Sequence, residues 1–531
     1  MHPKRSTSLE HRAGQLAALA WRFGLPEAIV FSMAGVTYFY NAFRFSLPTG
    51  YGGLFGLMSE EILAGRFALP VDVANYGPGG IPFAYPPIGL YLAALVQHLA
   101  HVSYLDYARW GPAFLSVVFV VAFYWLGRAT LHNRGAALAA AVLVAAAGEV
   151  FGNQATASGV VRSVAGVWTA GACALAELAY RAERRRAALV IGAGVLFGLL
   201  LATHLSYAVV GALGILAMGT LRGRKSWWRN ALTGAGILSI GVLVSSPWWG
   251  TVWARHGAEV FVSALQTHGN TGVLSHINEG LLAVLKLAGG WILNLGVRWS
   301  PAPLVGLALL GLGFAIVKGR WALVGWFAAV LLFTGEPDRY LAMIGSLMAG
   351  DLIAEVVRPR IQQSPTEQQW PNARLGQWAA AGLILSVVWW QGFKIARSVE
   401  PVLTNDDLDL GAWFQDKTPQ SAAYLFISSQ HDLSEWMPFL LRRTPATAPW
   451  GSEWIGRYSV ESRRFDRLGE CADAQSWVCV TAFLQDEGLS PDYLVVPSAM
   501  DPLVSELEAD PAWVAGYGNG TYRTFTRSLE G

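Results

Sequence analysis

The stretch TGYGGLFGLMSEEILAGRFALP, at residues 49–70, directly follows a strongly apolar segment of the chain. It is too polar and too rich in glycine to cross a bilayer as a helix. A second piece, FAYPPIGLYLAAL at residues 83–95, comes shortly after it. We therefore interpret residues 46–107 as one long, weakly charged loop outside the membrane. The segments around this loop indicate which class of membrane protein carries it.

The composition of the whole chain is that of a membrane protein. Of its 531 residues, 53% are hydrophobic and only 14% are charged, whereas about a quarter of the residues in a soluble protein are charged. The 23 tryptophans suit belts at the two membrane interfaces. The net charge of +2 comes from short basic clusters between apolar runs, so we expect the lipid bilayer, and no nucleic acid, as a partner.

Roughly eleven apolar runs are each near the ~20 residues that a membrane-crossing helix needs. They begin at about residues 25, 107, 136, 159, 187, 206, 231, 303, 321, 340 and 376. Basic clusters such as 181–186 and 222–229 follow every second run, and the positive-inside rule places them in the cytoplasm with the N-terminus. This assignment requires residues 88–105 to lie on the outer interface as an amphipathic helix. We expect a multi-pass plasma-membrane protein whose long loops, 46–107 and 248–300, and C-terminus lie outside the cell.

The composition changes at about residue 401, which divides the chain into a transmembrane domain, 1–400, and an extracytoplasmic domain, 401–531. In the second part a helix at 410–416 and strands at 423–429 and 493–497 predict a small α/β domain. Cys471 and Cys479 lie close together there. In an oxidising compartment they would form a disulfide, and two free thiols are the alternative.

Five short pieces carry a resemblance to a known superfamily. In chain order they are EEILAGRFALP (60–70), FAYPPIGLYL (83–92), ATHLSYAVVG (202–211), SSPWWG (245–250) and EPDRYLAMIGSLMAG (336–350). Together they resemble the GT-C glycosyltransferases, which include protein O-mannosyltransferases, aminoarabinose transferases and the catalytic subunits of oligosaccharyltransferases. The resemblance covers most of the chain and implies a polytopic α-helical membrane protein.

The resemblance also implies an activity. GT-C enzymes transfer a sugar, with inversion, from a polyprenyl-phosphate carrier to an acceptor on the outer face, here a cell-envelope glycan, lipid or protein. The alternative is a catalytically degenerate scaffold that binds a lipid-linked glycan or a partner protein. The resemblance leaves open whether a divalent cation, Mg²⁺ or Mn²⁺, takes part, and it leaves the oligomeric state open.

The acid that such a transfer needs is the point at which this sequence departs from the superfamily. Relatives place an aspartate at the start of the first outer loop, where this chain has Thr49 or Gly50, and neither residue can act as a base. Because a hydroxyl acceptor needs a carboxylate base within hydrogen-bond reach, other acids become the candidates. These are Glu60, Glu61, Asp72 and Glu149. The alternative for Glu60 and Glu61 is a solvated helix face, and the alternative for Asp72 is an ordinary loop residue. Glu149 could instead be an interfacial glutamate that is hydrogen-bonded by water or by Arg162.

A cation must bind the departing lipid phosphate, and the resemblance points to Arg339, in an Arg-Tyr pair, and to His204. Guanidinium suits a phosphate because it donates two parallel hydrogen bonds. A pair with Asp338 is the alternative role of Arg339, and a structural role is the alternative for His204.

Acceptor binding is the third requirement. Oligosaccharyltransferases carry a WWDYG motif after a similar strand, but only Ser434-Glu435-Trp436 and residues 451–454 stand here, so transfer to asparagine is not expected. Trp450, Glu453 and Trp454 could stack on and hydrogen-bond a sugar, or they could form a packed corner of the domain.

Overall fold

The computed structural model describes residues 24–77, 79–221, 227–268, 290, 301–357 and 371–528. The helices of the first half are α1 (Leu25–Arg44), α2 (Gly53–Ala64), α3 (Ile88–Ala100), α4 (Tyr104–Leu131), α5 (Arg134–Ala145), α6 (Gly148–Gln154), α7 (Gly159–Arg181), α8 (Arg186–Leu201), α9 (Leu205–Thr220), α10 (Trp227–Val244), α11 (Ser246–His256) and α12 (Glu259–His268). Those that follow, up to residue 400, are α13 (Ala302–Val317), α14 (Trp321–Phe333), α15 (Asp338–Val357) and α16 (Pro371–Ser398). A two-residue pair, β1 (Asp72–Val73) with β2 (Ile81–Pro82), lies in the loop between α2 and α3.

Each of the eleven predicted apolar runs lies in a helix, namely α1, α4, α5, α7–α10 and α13–α16. Side-chain caps fix some of their starts: Ser103 accepts from the backbone N–H of Asp106 at the start of α4, and Asn133 accepts from two N–H groups at the start of α5. The helix predicted at residues 88–105 is shorter in the structure: α3 ends at Ala100, where His101 adopts a left-handed conformation, and α4 begins at Tyr104.

A helix must be both long enough and apolar enough to cross a membrane. By length and composition, three helices in the described ranges could cross a membrane: α4, α7 and the part of α16 from Ala379 to Ser398. The number is five if the bent pairs α5–α6 (64°) and α10–α11 (57°) each count as one span. The count of about eleven spans therefore stays a prediction.

The long helices pack around one apolar core, to which α1, α4–α10 and α13–α16 all contribute. Their outward faces carry exposed large apolar side chains such as Phe43, Trp125 and Leu243. A face of this kind is stable in contact with lipid rather than with water. The structure is thus that of a helical membrane protein.

The region after residue 401 folds around a five-stranded sheet of order β4-β3-β5-β7-β6. Its elements are α17 (Asn405–Lys417), β3 (Ala423–Phe426), α18 (His431–Leu441), β4 (Thr444–Pro445), a 3₁₀ turn (Ser452–Ile455), α19 (Tyr458–Asp473), α20 (Trp477–Glu487), β5 (Tyr493–Pro497), α21 (Asp501–Ala509), β6 (Trp513–Gly518) and β7 (Tyr522–Arg527). Strand β3 pairs in parallel with β4 and β5, whereas β7 runs antiparallel to β5 and β6. The predicted strand at 493–497 has the observed bounds, and the predicted helix at 410–416 lies inside α17.

Alternating side chains give this sheet two buried faces, as the period of a strand requires. Leu425 and Leu494 face the side covered by α19, α20 and α21. On that side Cys471 and Cys479 form a disulfide that links α19 to α20, which decides between the two predicted alternatives.

The other face of the sheet belongs to a core shared with the loop 46–107. Tyr424, Phe426 and Val495 lie in one apolar cluster with α17 and α18 and also with α2, α3 and the β1–β2 pair. Residues 401–528 and the loop 46–107 are therefore packed as one unit.

Candidate functional site

Helix α2 begins at a close contact with α18. A Cβ added to Gly53 would lie 2.4 Å from the backbone oxygen of Glu435, so only glycine allows this approach. The Glu435 carboxylate accepts the backbone N–H groups of Gly52, Gly53 and Leu54 at 2.8, 2.7 and 2.8 Å. These are groups that the first turn of a helix leaves without internal partners, and a carboxylate there also suits the helix dipole. Glu435 thus caps α2 from a distant part of the chain.

Glu435 is only 2% exposed. Burial raises the pKa of its carboxyl group to about 7, because the loss of hydration outweighs the three N–H bonds that favour the charged form. Two more hydrogen bonds hold the same loop: the Trp436 indole donates to the carbonyl of Gly50, and the Tyr104 hydroxyl donates to that of Gly52. The backbone on both sides of residue 51 is therefore fixed.

Thr49 and Gly50, at the position where relatives carry aspartate, face the turn that precedes α7. The backbone N–H of Ala157 donates to the carbonyl of Thr49 at 2.8 Å. Gly50 has a positive φ of 73°, and a Cβ added there would lie 3.0 Å from the hydroxyl oxygen of Thr156. Thr49 is buried, and hydroxyl and backbone groups stand here in place of the carboxylate.

Arg339 lies in the first turn of α15 and is only 8% exposed. Its Nη1 donates to the Asn153 side chain at 3.0 Å and to Glu336 at 3.1 Å. The Asn153 amide in turn donates to the backbone oxygen of Glu149, at the start of α6. Glu149 is buried. The short helix α6 therefore brings the predicted acid and the predicted phosphate ligand into one neighbourhood.

His204 joins the same neighbourhood through aromatic contacts. Its ring packs edge-on against Tyr207 with centroids 5.2 Å apart, and Tyr207 packs against Tyr340, the neighbour of Arg339, at 4.9 Å. On its other side His204 faces Tyr85 at 6.3 Å. Burial raises the pKa of Tyr85 well above its ordinary value, so its hydroxyl stays protonated and can donate a hydrogen bond.

A second arginine, Arg162 on α7, lies beside this group. Its guanidinium carbon is 5.3 Å from the centroid of the Tyr51 ring, and its charge interacts with Tyr85 and repels that of Arg339. The buried Arg162 Nε has no hydrogen-bond acceptor among the described residues. The sequence indicated Arg162 only as a possible partner for Glu149. An arginine one turn into an apolar run long enough to cross a membrane is the signal that could have singled it out.

The C-terminal region contributes Glu453 and Trp454, on the 3₁₀ turn. Trp454 is buried, and its ring lies 6.1 Å from that of Tyr85. The charge of Glu453 acts on Tyr85 and on Tyr458, and so it belongs to the same site. Trp450, in contrast, packs inside the domain, against His431 and Phe465.

The remaining predicted acids lie elsewhere. Glu60 forms an ion pair with Arg442 of the C-terminal region, and Glu61 follows it on the partly exposed side of α2. Asp72 is exposed and lies in β1, opposite Pro82. The structure thus brings Glu149, His204, Arg339, Glu453 and Trp454 together and leaves these three acids apart.

The residues around Arg339 do not fit a bound divalent cation. No three His, Cys, Asp or Glu side chains cluster anywhere in the described ranges. The carboxylates of Glu149, Glu336 and Glu453 do not cluster here and stand among guanidinium, phenol and amide groups, whereas Mg²⁺ and Mn²⁺ prefer several carboxylates together. The predicted loop 248–300 is described only as far as His268 and at residue 290, so most of it lies outside the described residues.

This architecture is similar to that of known proteins. The family model described as the N-terminal part of oligosaccharyl transferase STT3 matches residues 37–159. The oligosaccharyltransferase of Archaeoglobus fulgidus is similar in structure, with a TM-score of 0.60 and 13% identity over 96% of this chain and 75% of its own. ArnT from Cupriavidus metallidurans, solved with undecaprenyl phosphate, has a TM-score of 0.56 and 14% identity over 96% of this chain and 98% of its own.

A third similar structure is the arabinofuranosyltransferase AftD from Mycobacteria, with a TM-score of 0.50 and 16% identity over 94% of this chain and 40% of its own. The search among curated protein sequences gave no match. The predicted resemblance is confirmed: the chain has the fold of the GT-C membrane glycosyltransferases.

Proposed function

We propose that this protein transfers a sugar from a polyprenyl-phosphate carrier to an acceptor on the extracytoplasmic face of the plasma membrane. The observation that carries the proposal is the buried group around Arg339, in which guanidinium and phenol groups converge beside the capped outer loop. The similar ArnT structure holds undecaprenyl phosphate, and one structure of the similar Archaeoglobus AglB holds a dolichol-phosphate and an inhibitory peptide.

The proposed orientation follows the positive-inside rule, with the N-terminus in the cytoplasm and residues 401–531 outside. The disulfide between Cys471 and Cys479 supports this orientation, because such bonds persist in oxidising compartments. A polyprenyl tail would then stay in lipid while its phosphate reaches Arg339.

The proposed reaction is a single displacement with inversion. The acceptor hydroxyl attacks the anomeric carbon, the bond from that carbon to the phosphate oxygen breaks, and polyprenyl phosphate leaves with the electron pair. Glu149 takes the hydroxyl proton. Arg339 stabilises the charge that grows on the departing phosphate. Glu453 and Trp454 hold the acceptor, and no step requires a metal ion.

A second candidate function rests on Thr49. Because the first outer loop has no carboxylate at this position, the chain could bind a lipid-linked glycan without transferring its sugar. Binding without turnover would be the signature of this scaffold role.

The test incubates the purified full-length protein with radiolabelled polyprenyl-phosphate sugars and a membrane extract that supplies acceptors. Arg339→Gln is expected to lower the transfer rate by about 100-fold, the usual effect of removing one charge-stabilising donor, and Glu149→Gln by a similar factor. Arg66→Gln, which changes an exposed arginine of the loop 46–107, is the matched control and should keep the wild-type rate. Donor binding without transfer by the wild-type protein would replace the enzyme proposal with the scaffold.

A further inference from the structure

Tyr51 stands between two glycines just before α2, where the backbone is held from several sides. The carbonyl of Gly50 accepts the Trp436 indole N–H at 2.8 Å, and that of Gly52 accepts the Tyr104 hydroxyl at 2.7 Å. The eight residues that follow Tyr51 are buried, whereas Tyr51 itself is only partly buried. Its side chain is therefore accessible to a ligand while its backbone is fixed.

The ring of Tyr51 is oriented as well as anchored. The guanidinium of Arg162 lies over the ring face, 5.3 Å from the centroid, where a cation is attracted by the electrons of the ring. Tyr51 also interacts electrostatically with two further phenols, those of Tyr85, just before α3, and Tyr458, at the start of α19. Phenols from three separate segments of the chain thus lie in one neighbourhood.

Tyr85 and Tyr458 can both donate hydrogen bonds. Burial raises the pKa of Tyr458 above its ordinary value. Three nearby carboxylates add to this rise of the pKa, namely Glu453, Glu336 and Asp466. Because burial also raises the pKa of Tyr85, both hydroxyls stay protonated at neutral pH. A protonated phenol donates one hydrogen bond and can accept others, so it can pair with either side of a sugar hydroxyl.

Aromatic rings form one wall of this neighbourhood. The ring of Tyr85 packs edge-on against Trp454 with centroids 6.1 Å apart, and its distance from the ring of Phe55 is 5.5 Å. Ligand sites typically combine such apolar walls with a few polar groups. Rings offer apolar surface to the C–H groups of a sugar, while phenols and carboxylates bind its hydroxyls. The combination therefore fits a carbohydrate.

The carboxylates also discriminate among classes of acceptor. Glu453, Glu336 and Asp466 act on Tyr458 and would repel the phosphate groups of an anionic lipid acceptor. A serine or threonine side chain offers a single hydroxyl, which cannot pair with three phenols. An uncharged sugar carries several hydroxyls and meets no like charge, so it matches these groups better than either alternative.

We propose that Tyr51, Tyr85 and Tyr458 bind the acceptor, and that this acceptor is an uncharged sugar at the end of a glycan. The inference rests on the proposed function and adds the class of acceptor to it. Tyr51 hydrogen-bonds one hydroxyl of the acceptor sugar and so orients the attacking hydroxyl toward Glu149. The phenol takes no part in the proton transfer, so its loss affects the acceptor more than the donor.

The test identifies the labelled product and measures the KM for donor and acceptor separately. The purified full-length protein is incubated with radiolabelled polyprenyl-phosphate sugars and a membrane extract, and the donor concentration and the amount of extract are varied in turn. We expect the label in material whose size proteinase K does not change and that stays in the aqueous phase after extraction with chloroform and methanol.

Tyr51→Phe keeps the ring and removes the hydroxyl. It should raise the KM for the acceptor by about 3- to 10-fold, the value of one neutral hydrogen bond, and leave the KM for the donor unchanged. Tyr458→Phe should act in the same direction. Tyr91→Phe, which removes a hydroxyl that donates to the carbonyl of Phe67, is the matched control and should keep both KM values. Thermal unfolding midpoints verify that each variant is folded.

The outcomes separate this inference from the proposed function. Label that proteinase K converts to small peptides, or that enters the organic phase, overturns the inference and keeps the proposed function. An unchanged KM for the acceptor in Tyr51→Phe, or an equal rise in both KM values, also overturns the inference. No transfer by the wild-type protein to any component of the extract overturns both.

Discussion

Replacing Glu435 by glutamine changes one atom at the contact between α18 and α2. In the wild-type protein one carboxylate oxygen accepts from Leu54, and the other accepts from Gly52 and Gly53. Glutamine offers one acceptor oxygen and a donating NH₂, so at least one backbone N–H would face another donor. A buried donor left without a partner costs about 1–3 kcal/mol.

The pH dependence distinguishes this capping role from simple packing. Burial raises the pKa of Glu435 from 4.5 to about 7, with Asp432 adding to the rise. A raised pKa means that the neutral form stabilises the fold below pH 4.5 and that this contribution is lost as the pH rises through 7. At 1.36 kcal/mol per pKa unit the loss is about 3 kcal/mol. Glutamine cannot ionise, so the Glu435→Gln variant lacks this loss.

The assay follows thermal unfolding of the full-length protein in detergent by tryptophan fluorescence, at pH 5 and pH 8. At pH 5 the midpoint of Glu435→Gln should lie about 2–12 °C below that of the wild type, on the basis of about 2–4 °C per kcal/mol. At pH 8 the two midpoints should approach each other. Glu470→Gln, an exposed glutamate of α19, is the matched control. Parallel midpoints of the wild type and Glu435→Gln at both pH values would refute the role assigned to Glu435.

Two further changes test the packing of the outer region. Gly56→Ala should lower the unfolding midpoint by an amount equivalent to about 1–3 kcal/mol, because the new Cβ would lie 2.6 Å from the ring of Phe439; Gly35→Ala, with open space around it, should leave the midpoint unchanged or raise it, and equal midpoints would contradict the packing. Reduction of the disulfide should remove about 2–3 kcal/mol, as expected for a loop closed over a sequence separation of eight. A drop in midpoint with dithiothreitol that persists in the Cys471→Ser, Cys479→Ser double variant would show that the bond is not its cause.

Local patterns predicted most of the architecture. Apolar runs marked the long helices because lipid-facing and core-facing sides are both apolar, and the run YLVVP marked β5 because it is short, β-branched and bounded by turn residues. The motif order predicted a shared site for Arg339, His204 and Glu149, and these residues are linked through Asn153 and through Tyr207 and Tyr340 in the structure. These features depend on neighbours in the sequence, and a single sequence contains them.

Contacts between segments that are distant in the chain could not be predicted from the sequence. Glu435 caps α2 across 383 residues, so nothing near it in the chain reveals its partners. A glutamate inside the apolar run of α18 was the one available signal. The ion pair of Glu60, a predicted catalytic acid, with Arg442 and the packing of Trp450 against Phe465 both depend on the tertiary fold.

The shared core of the outer loop and residues 401–528 has a consequence for biosynthesis. The ribosome completes the loop long before it reaches Glu435, and at about 5–20 residues per second the delay over 383 residues is about 20–80 s. During this interval the start of α2 lacks its acceptor and the apolar side of the loop has no cover. A chain truncated before Glu435 would lack this acceptor and would leave the apolar side of the loop uncovered, so we expect proteases to cleave its loop faster than that of the full-length protein.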